Sequence, residues 1–115
     1  MTRHLEEAVR AAQDRKAVEL SVLNLEGICS FTDIFLICSA TSTRHAQAIS
    51  DAIFEKLKSS GLTPTHIEGY SQAEWILLDY LNFVVHIFTD RARHFYDLER
   101  LWKTAPRVPV PENGT

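Results

Sequence analysis

Small hydroxyl residues crowd one short stretch of the chain: Ser39, Thr41, Ser42 and Thr43, followed directly by Arg44 and His45. They come after the apolar run Ile34-Phe35-Leu36-Ile37-Cys38, so a strand hands over to a helix at this point. A helix N-terminus helped by a cation can hold a phosphate or another anion. Nucleotidyl transfer there also needs two carboxylates gripping a metal. The one Asp-x-Glu sequence is Asp97-Leu98-Glu99. It falls in a stretch of helical spacing, where positions i and i+2 do not share a face. The stretch 39–45 lacks glycine, which hinders close approach of its backbone to a phosphate. Capping of the following helix by Thr41 or Ser42 explains the same residues. The expectation is a protein with no catalytic residues. The alternative is a nucleotidyltransferase-like enzyme using the loop from Ser39 to His45.

The other reactive side chains form no pattern. The five histidines, His4, His45, His66, His86 and His94, are scattered, and none has the i, i+4 spacing of a helical zinc pair. Cys29 and Cys38 make neither a CxxC pair nor a disulfide framework. Cys38 lies within the apolar run, where a cysteine acts as a small hydrophobe. No metal and no cofactor are expected.

A more informative constellation lies in two apolar runs, Trp75 to Tyr80 and Phe83 to Phe88, separated by Leu81 and Asn82. Paired across a two-residue turn, they form a β-hairpin. Strand side chains alternate, so Ile76, Leu78 and Tyr80 share a face with Ile87, Val85 and Phe83, and that face must be core. The opposite face pairs Asp79 with Val84, Leu77 with His86 and Trp75 with Phe88. Aromatic anchors beside polar groups suit a protein-binding surface, and Trp75 is expected to be the main anchor. If a helix covers this face too, Asp79 and His86 become satisfied groups at its rim.

The elements that carry these residues follow from periodicity. Leu5, Ala8, Val9 and Ala12 form one face of a helix that Thr2 can cap. Val18, Leu20 and Val22 alternate as a half-buried strand, and Gly27 ends it. The run 34–38 suits a central strand buried on both faces. Ala46, Ile49, Ile53 and Leu57 stripe a second helix that ends at Gly61. With a short strand over 65–68 this makes a βαβ-like unit. Phe95, Leu98, Leu101 and Trp102 have the spacing of one last helix. Three of the four prolines follow Thr104, so 104–115 is expected to be a disordered tail, removable with little loss of stability.

At 115 residues the chain is the size of one α/β domain. Twelve Lys and Arg against 15 Asp and Glu give a net charge of −3. A binder of nucleic-acid phosphate is expected to be basic, so direct nucleic-acid binding is disfavoured and a basic protein surface is the better match. No apolar run approaches the ~18 residues that span a bilayer. The first 16 residues mix both charge signs, unlike a signal or transit peptide. A cytoplasmic protein in a reducing compartment is expected.

Several stretches, taken in order, resemble the ribosomal silencing factor (RsfS, Iojap) family. They are Thr32-Asp33-Ile34-Phe35-Leu36-Ile37-Cys38 with Thr41-Ser42-Thr43-Arg44-His45; Glu68-Gly69; Trp75-Ile76-Leu77-Leu78-Asp79-Tyr80; Val84-Val85-His86-Ile87-Phe88; and Arg93 with Tyr96-Asp97-Leu98-Glu99-Arg100-Leu101-Trp102. The chain departs from the family pattern at the hairpin turn, Leu81-Asn82 for Gly-Asp, and at Ala40 for Gly. The resemblance covers 1–103. It implies a mixed β-sheet flanked by helices, similar to nucleotidyltransferases but without their catalytic acids. It also implies a bacterial translational repressor. Such a factor binds the large ribosomal subunit through its ribosomal protein fourteen and sterically blocks the small subunit, lowering translation when nutrients are scarce. By the same resemblance Trp75, Leu77, Asp79, His86 and Phe88 on the hairpin, and Tyr96 and Leu98 after it, become partner contacts. The exposed aromatic face would also suit homodimerisation off the ribosome.

Overall fold

The computed structural model describes residues 1–111. Its elements in chain order are α1 (Arg3–Asp14), β1 (Val18–Asn24), β2 (Ile34–Ala40), α2 (Thr43–Ser59), β3 (His66–Glu68), β4 (Trp75–Asp79), β5 (Phe83–Thr89), α3 (Asp90–Tyr96), α4 (Leu98–Leu101) and β6 (Arg107–Val108). The strands form one sheet in the order β3-β4-β5-β2-β1-β6. β2 and β5 run parallel, and the other neighbouring pairs are antiparallel. The domain is α/β, a mixed sheet flanked by helices.

Parallel strands at the centre of a sheet are buried on both faces, and alternation along β2 divides the core in two. Leu36 and Cys38 face the apolar stripes of α1 and α2, with Ile76, Leu78, Val85 and Ile87 beside them. Phe35 and Ile37 face the other way, with Val84, Phe88, Ala92 and Ala105. Trp75, Leu77, Leu98 and Trp102 close this second, thinner core. Three loop signals read from the sequence hold. Thr2 caps α1, Ser42 caps α2 and Gly61 follows α2 with positive φ. β3 lies at the sheet edge beyond β4, so α2 crosses from β2 to a strand that is not its neighbour.

The expected hairpin register is the observed one: Trp75 opposite Phe88, Leu77 opposite His86 and Asp79 opposite Val84. Its unusual turn closes with Leu81 at φ 70°, its amide N–H donating to Asp79 Oδ1 at 2.8 Å. The local side-chain bond replaces what glycine provides elsewhere in such turns.

Three expectations need correction. β1 does not alternate cleanly: Glu19 has φ 51°, a bulge shifts the register between Val18 and Ser21, and Val18 is exposed. The final helix is broken in two at Asp97, φ 46° and ψ 52°, a left-handed conformation that Asp tolerates better than most residues. Finally, residues 105–111 are not a free tail. Ala105 is buried, Asn24 N–H donates to Pro106 O at 2.8 Å, β6 pairs with β1 and Pro111 O accepts from Gln13. Proline is compatible with this because β6 is a two-residue edge strand. Residues 112–115 lie outside the described residues. Truncation after Lys103 is therefore expected to lower the melting temperature by several degrees, measured by thermal unfolding.

Candidate partner-binding groove

The bulge in β1 and the break at Asp97 serve one ion-pair network. Breaking the helix turns Glu99 back toward α3, where Arg93 Nε and Nη2 donate to its two carboxylate oxygens, each at 3.1 Å. Arg93 Nη1 donates to Ser39 Oγ at 3.0 Å and to the Glu19 carbonyl that the bulge turns inward. Ser21 Oγ donates to Glu99 at 2.9 Å, and Arg107 Nη2 lies 3.5 Å from the same carboxylate. Burial alone would raise the Glu99 carboxyl. The hydrogen bonds from Arg93 and Ser21 and the nearby guanidinium charges outweigh it and hold the group below its ordinary range. This bidentate, mostly buried clamp fixes α4 over the sheet.

On the sheet, Trp75 is held by aromatic contacts. Its ring centroid lies 4.9 Å from Phe88 and 4.7 Å from Tyr96. Gly69, at φ 78°, lets the preceding loop pass close to Trp75, because a Cβ there would collide with the Trp75 carbonyl oxygen. The indole Nε1–H donates to His86 Nδ1 at 3.0 Å. This fixes the tautomer of a neutral ring, with the proton on Nε2. The ring meets Phe35 edge-on at 4.4 Å. Burial pushes the imidazole down to about 3, and Nε2 is buried without a hydrogen-bond partner.

Between the sheet and α4 lies a groove of ≈ 330 Å³. Phe35, Val84 and His86 come from its central strands, Leu77 and Asp79 from β4, and Leu98, Leu101 and Trp102 from α4 and the residue after it. Phe31, from the β1–β2 loop, completes the lining. Phe31 is 66% exposed and Leu101 75% exposed, with Phe95 at 80% nearby in α3. An apolar concavity rimmed by solvent-exposed aromatic and aliphatic side chains marks an interaction site. A larger cavity, ≈ 920 Å³ between α1 and α2, is lined by charged side chains such as Arg3, Glu7, Arg10 and Glu6, which pair with one another.

The sequence-predicted residues separate into three groups. Leu77, Asp79, His86 and Leu98 line the groove. Trp75 and Tyr96 stack beside it, Tyr96 exposed and Trp75 half-buried. Phe88 is fully buried, which corrects its assignment as a contact: it packs beside Trp75 as its cross-strand partner. Phe31, Phe35, Val84, Leu101 and Trp102 also line the groove and were not among the expected contacts. Phe31 is the one aromatic residue of the β1–β2 loop, which also carries Leu25, Ile28 and Cys29, so its type alone did not single it out.

In the loop before α2, Thr41, Ser42 and His45 hydrogen-bond within the fold. Ser42 Oγ accepts from His45 N–H at 3.0 Å, His45 Nδ1 accepts from Thr41 N–H at 2.9 Å, and His45 Nε2 meets the Arg15 carbonyl at 2.6 Å. Cys38 is buried, and burial pushes its thiol up to about 12. Among the described residues no group of three or more His, Cys, Asp or Glu could hold a metal ion, and no helix is long and apolar enough to cross a membrane.

His86 also sets an acid dependence. Its folded-state value of about 3 lies below the ordinary 6.5. The unfolded chain therefore binds the extra proton first as pH falls below 6.5, and stability present above that value is lost toward pH 3. About 2 kcal/mol is expected to disappear between pH 7 and pH 5. Urea unfolding at the two pH values checks this, and His86→Phe should flatten the difference. Glu99 acts in the same direction at lower pH.

The whole chain, residues 1–115, matches the family model described as ribosomal silencing factor during starvation. It is 40% identical over 106 residues to ribosomal silencing factor RsfS of Halalkalibacterium halodurans, covering 92% of this chain and 91% of that protein. A crystal structure of a Bacillus halodurans protein superposes with a TM-score of 0.82 at 39% identity, covering 92% and 96% of the two chains. More distantly, it is 30% identical over 97 residues to a mouse protein named mitochondrial assembly of ribosomal large subunit protein 1, covering 82% of this chain and 42% of that protein. The chain belongs to the RsfS family of ribosomal silencing factors.

Proposed function

We propose that this protein represses translation during starvation by docking the groove between α4 and the hairpin onto the large ribosomal subunit, through ribosomal protein fourteen. Held there, it sterically keeps the small subunit from joining. The observation that carries the reading is the apolar groove itself, open to solvent and rimmed by Phe31 and Leu101. Trp75, Leu77, Asp79, His86, Tyr96 and Leu98 act at or beside it. The action is non-enzymatic. Glu99, half of the one Asp-x-Glu, is occupied by Arg93, Ser21 and Arg107, and a carboxylate so engaged is a poor metal ligand. The net charge of −3 favours a basic protein as partner. The mouse relative, whose name places it in assembly of a large ribosomal subunit, supports the same side of the ribosome.

The test mixes purified large and small subunits and follows joining by light scattering. Added protein is expected to reduce joining in proportion to its occupancy of the large subunit, and to bind isolated ribosomal protein fourteen. Undiminished joining at saturating occupancy contradicts the steric mechanism. Occupancy without binding to ribosomal protein fourteen moves the contact elsewhere.

A further inference from the structure

Three polar side-chain atoms among the described residues are buried without a partner: Glu7 Oε1, Tyr80 Oη and His86 Nε2. Glu7 belongs to the charged cavity between α1 and α2, and Tyr80 packs in the core under those helices. Only His86 lines the apolar groove. A buried, unsatisfied N–H is costly. The orientation is not an accident of a loose ring, because Trp75 holds Nδ1 as the acceptor and so commits Nε2 to be a donor. The groove also contains one charged side chain, Asp79. One of its oxygens accepts from the Leu81 amide, and among the described residues it has no ion-pair partner.

Resting on the reading of this groove as the ribosome-docking surface, we infer that its occupant is a segment of a basic protein that lays an apolar side chain into the groove, presents a carbonyl oxygen to His86 Nε2–H and brings a cationic side chain to Asp79. The apolar lining selects the side chain. The orphan donor selects an acceptor beside it. Asp79 disfavours a carboxylate as that acceptor, since a second anion would meet it across the groove, and favours a neutral carbonyl flanked by Lys or Arg. His86 Nε2 is covered in the free protein, so docking requires the lining side chains to part enough to admit an oxygen. Specificity follows from the asymmetry of hydrogen bonding: an apolar segment without an acceptor leaves the donor unsatisfied.

The test measures thermal unfolding and equilibrium binding to purified large ribosomal subunits for His86→Phe, His86→Gln, Asp79→Asn and Leu101→Asp. His86→Phe removes the orphan donor. It also removes the acceptor of Trp75 Nε1–H, so it is expected to stay folded at pH 7, melting within a few degrees of the parent, while binding about tenfold or more weakly. A merely structural His86 would lose both together. His86→Gln, whose amide can donate near the Nε2 position, should recover part of the affinity. Asp79→Asn keeps the acceptor for Leu81 and should weaken binding and flatten its salt dependence. If Leu101→Asp abolishes binding but His86→Phe and Asp79→Asn bind within twofold of the parent, this inference is overturned and the groove reading stands. If Leu101→Asp also binds like the parent, both fall.

Discussion

Arg93→Ala is expected to lower the unfolding free energy by about 3–5 kcal/mol, measured by urea denaturation at pH 7. Arg93 is 8% exposed and bridges three groups from separate elements: the Glu19 carbonyl of β1, the Ser39 hydroxyl of β2 and both oxygens of the Glu99 carboxylate in α4. Removing it leaves a partly buried carboxylate with only Ser21 and the more exposed Arg107. A loss of that size is a large fraction of the ~5–15 kcal/mol that holds a domain together. Glu99→Gln should cost less, because the amide oxygen still accepts from Arg93. Arg93→Ala unfolding within 1 kcal/mol of the parent would show that the clamp is not what holds α4 on the sheet.

Leu101→Asp is expected to leave the melting temperature nearly unchanged, since surface substitutions shift stability by only ~0.5 kcal/mol. Binding to large subunits should nevertheless weaken by about 30-fold to 1,000-fold, the range of a lost interface hot spot. Leu101 is 75% exposed and lines the groove, so an aspartate there is solvated in the free protein and stranded in the complex. Phe31→Asp, across the groove, should behave alike. Trp75→Ala is the less informative variant. Trp75 packs on Phe88 and Tyr96 and bonds His86, so its truncation removes stability and binding together. Parent-like sedimentation of folded Leu101→Asp with large subunits would place the contact elsewhere.

Where local pattern and tertiary structure agree, the sequence was readable. The hairpin register followed from alternation across a two-residue turn, and the core stripes of α1 and α2 followed from the 3.6-residue period. Misreadings occurred where a distant partner decides. Phe95, Leu98, Leu101 and Trp102 do have the spacing of one helix, but a continuous helix would carry Glu99 away from Arg93, and the left-handed turn at Asp97 is what brings them together. Phe95 and Leu101 consequently point to solvent while Leu98 and Trp102 reach the sheet. At the C-terminus the prolines concealed an edge strand whose signal was the alternation Val108, Val110 against Arg107, Pro109. His86 and Phe88 were placed on the right face, but the cover that α3 and α4 lay over it depends on that same break and could not be read from strand spacing.

Site-specific photocrosslinking tests the central claim most directly. A benzophenone amino acid replaces Leu101 in one variant and Glu55, exposed on α2 beside the cavity between α1 and α2, in another, and each is irradiated with purified large ribosomal subunits. Position 101 is expected to crosslink to one basic ribosomal protein, ribosomal protein fourteen, and position 55 to give no product. Crosslinks from position 55 in place of 101, or from 101 only to ribosomal RNA, would contradict the account.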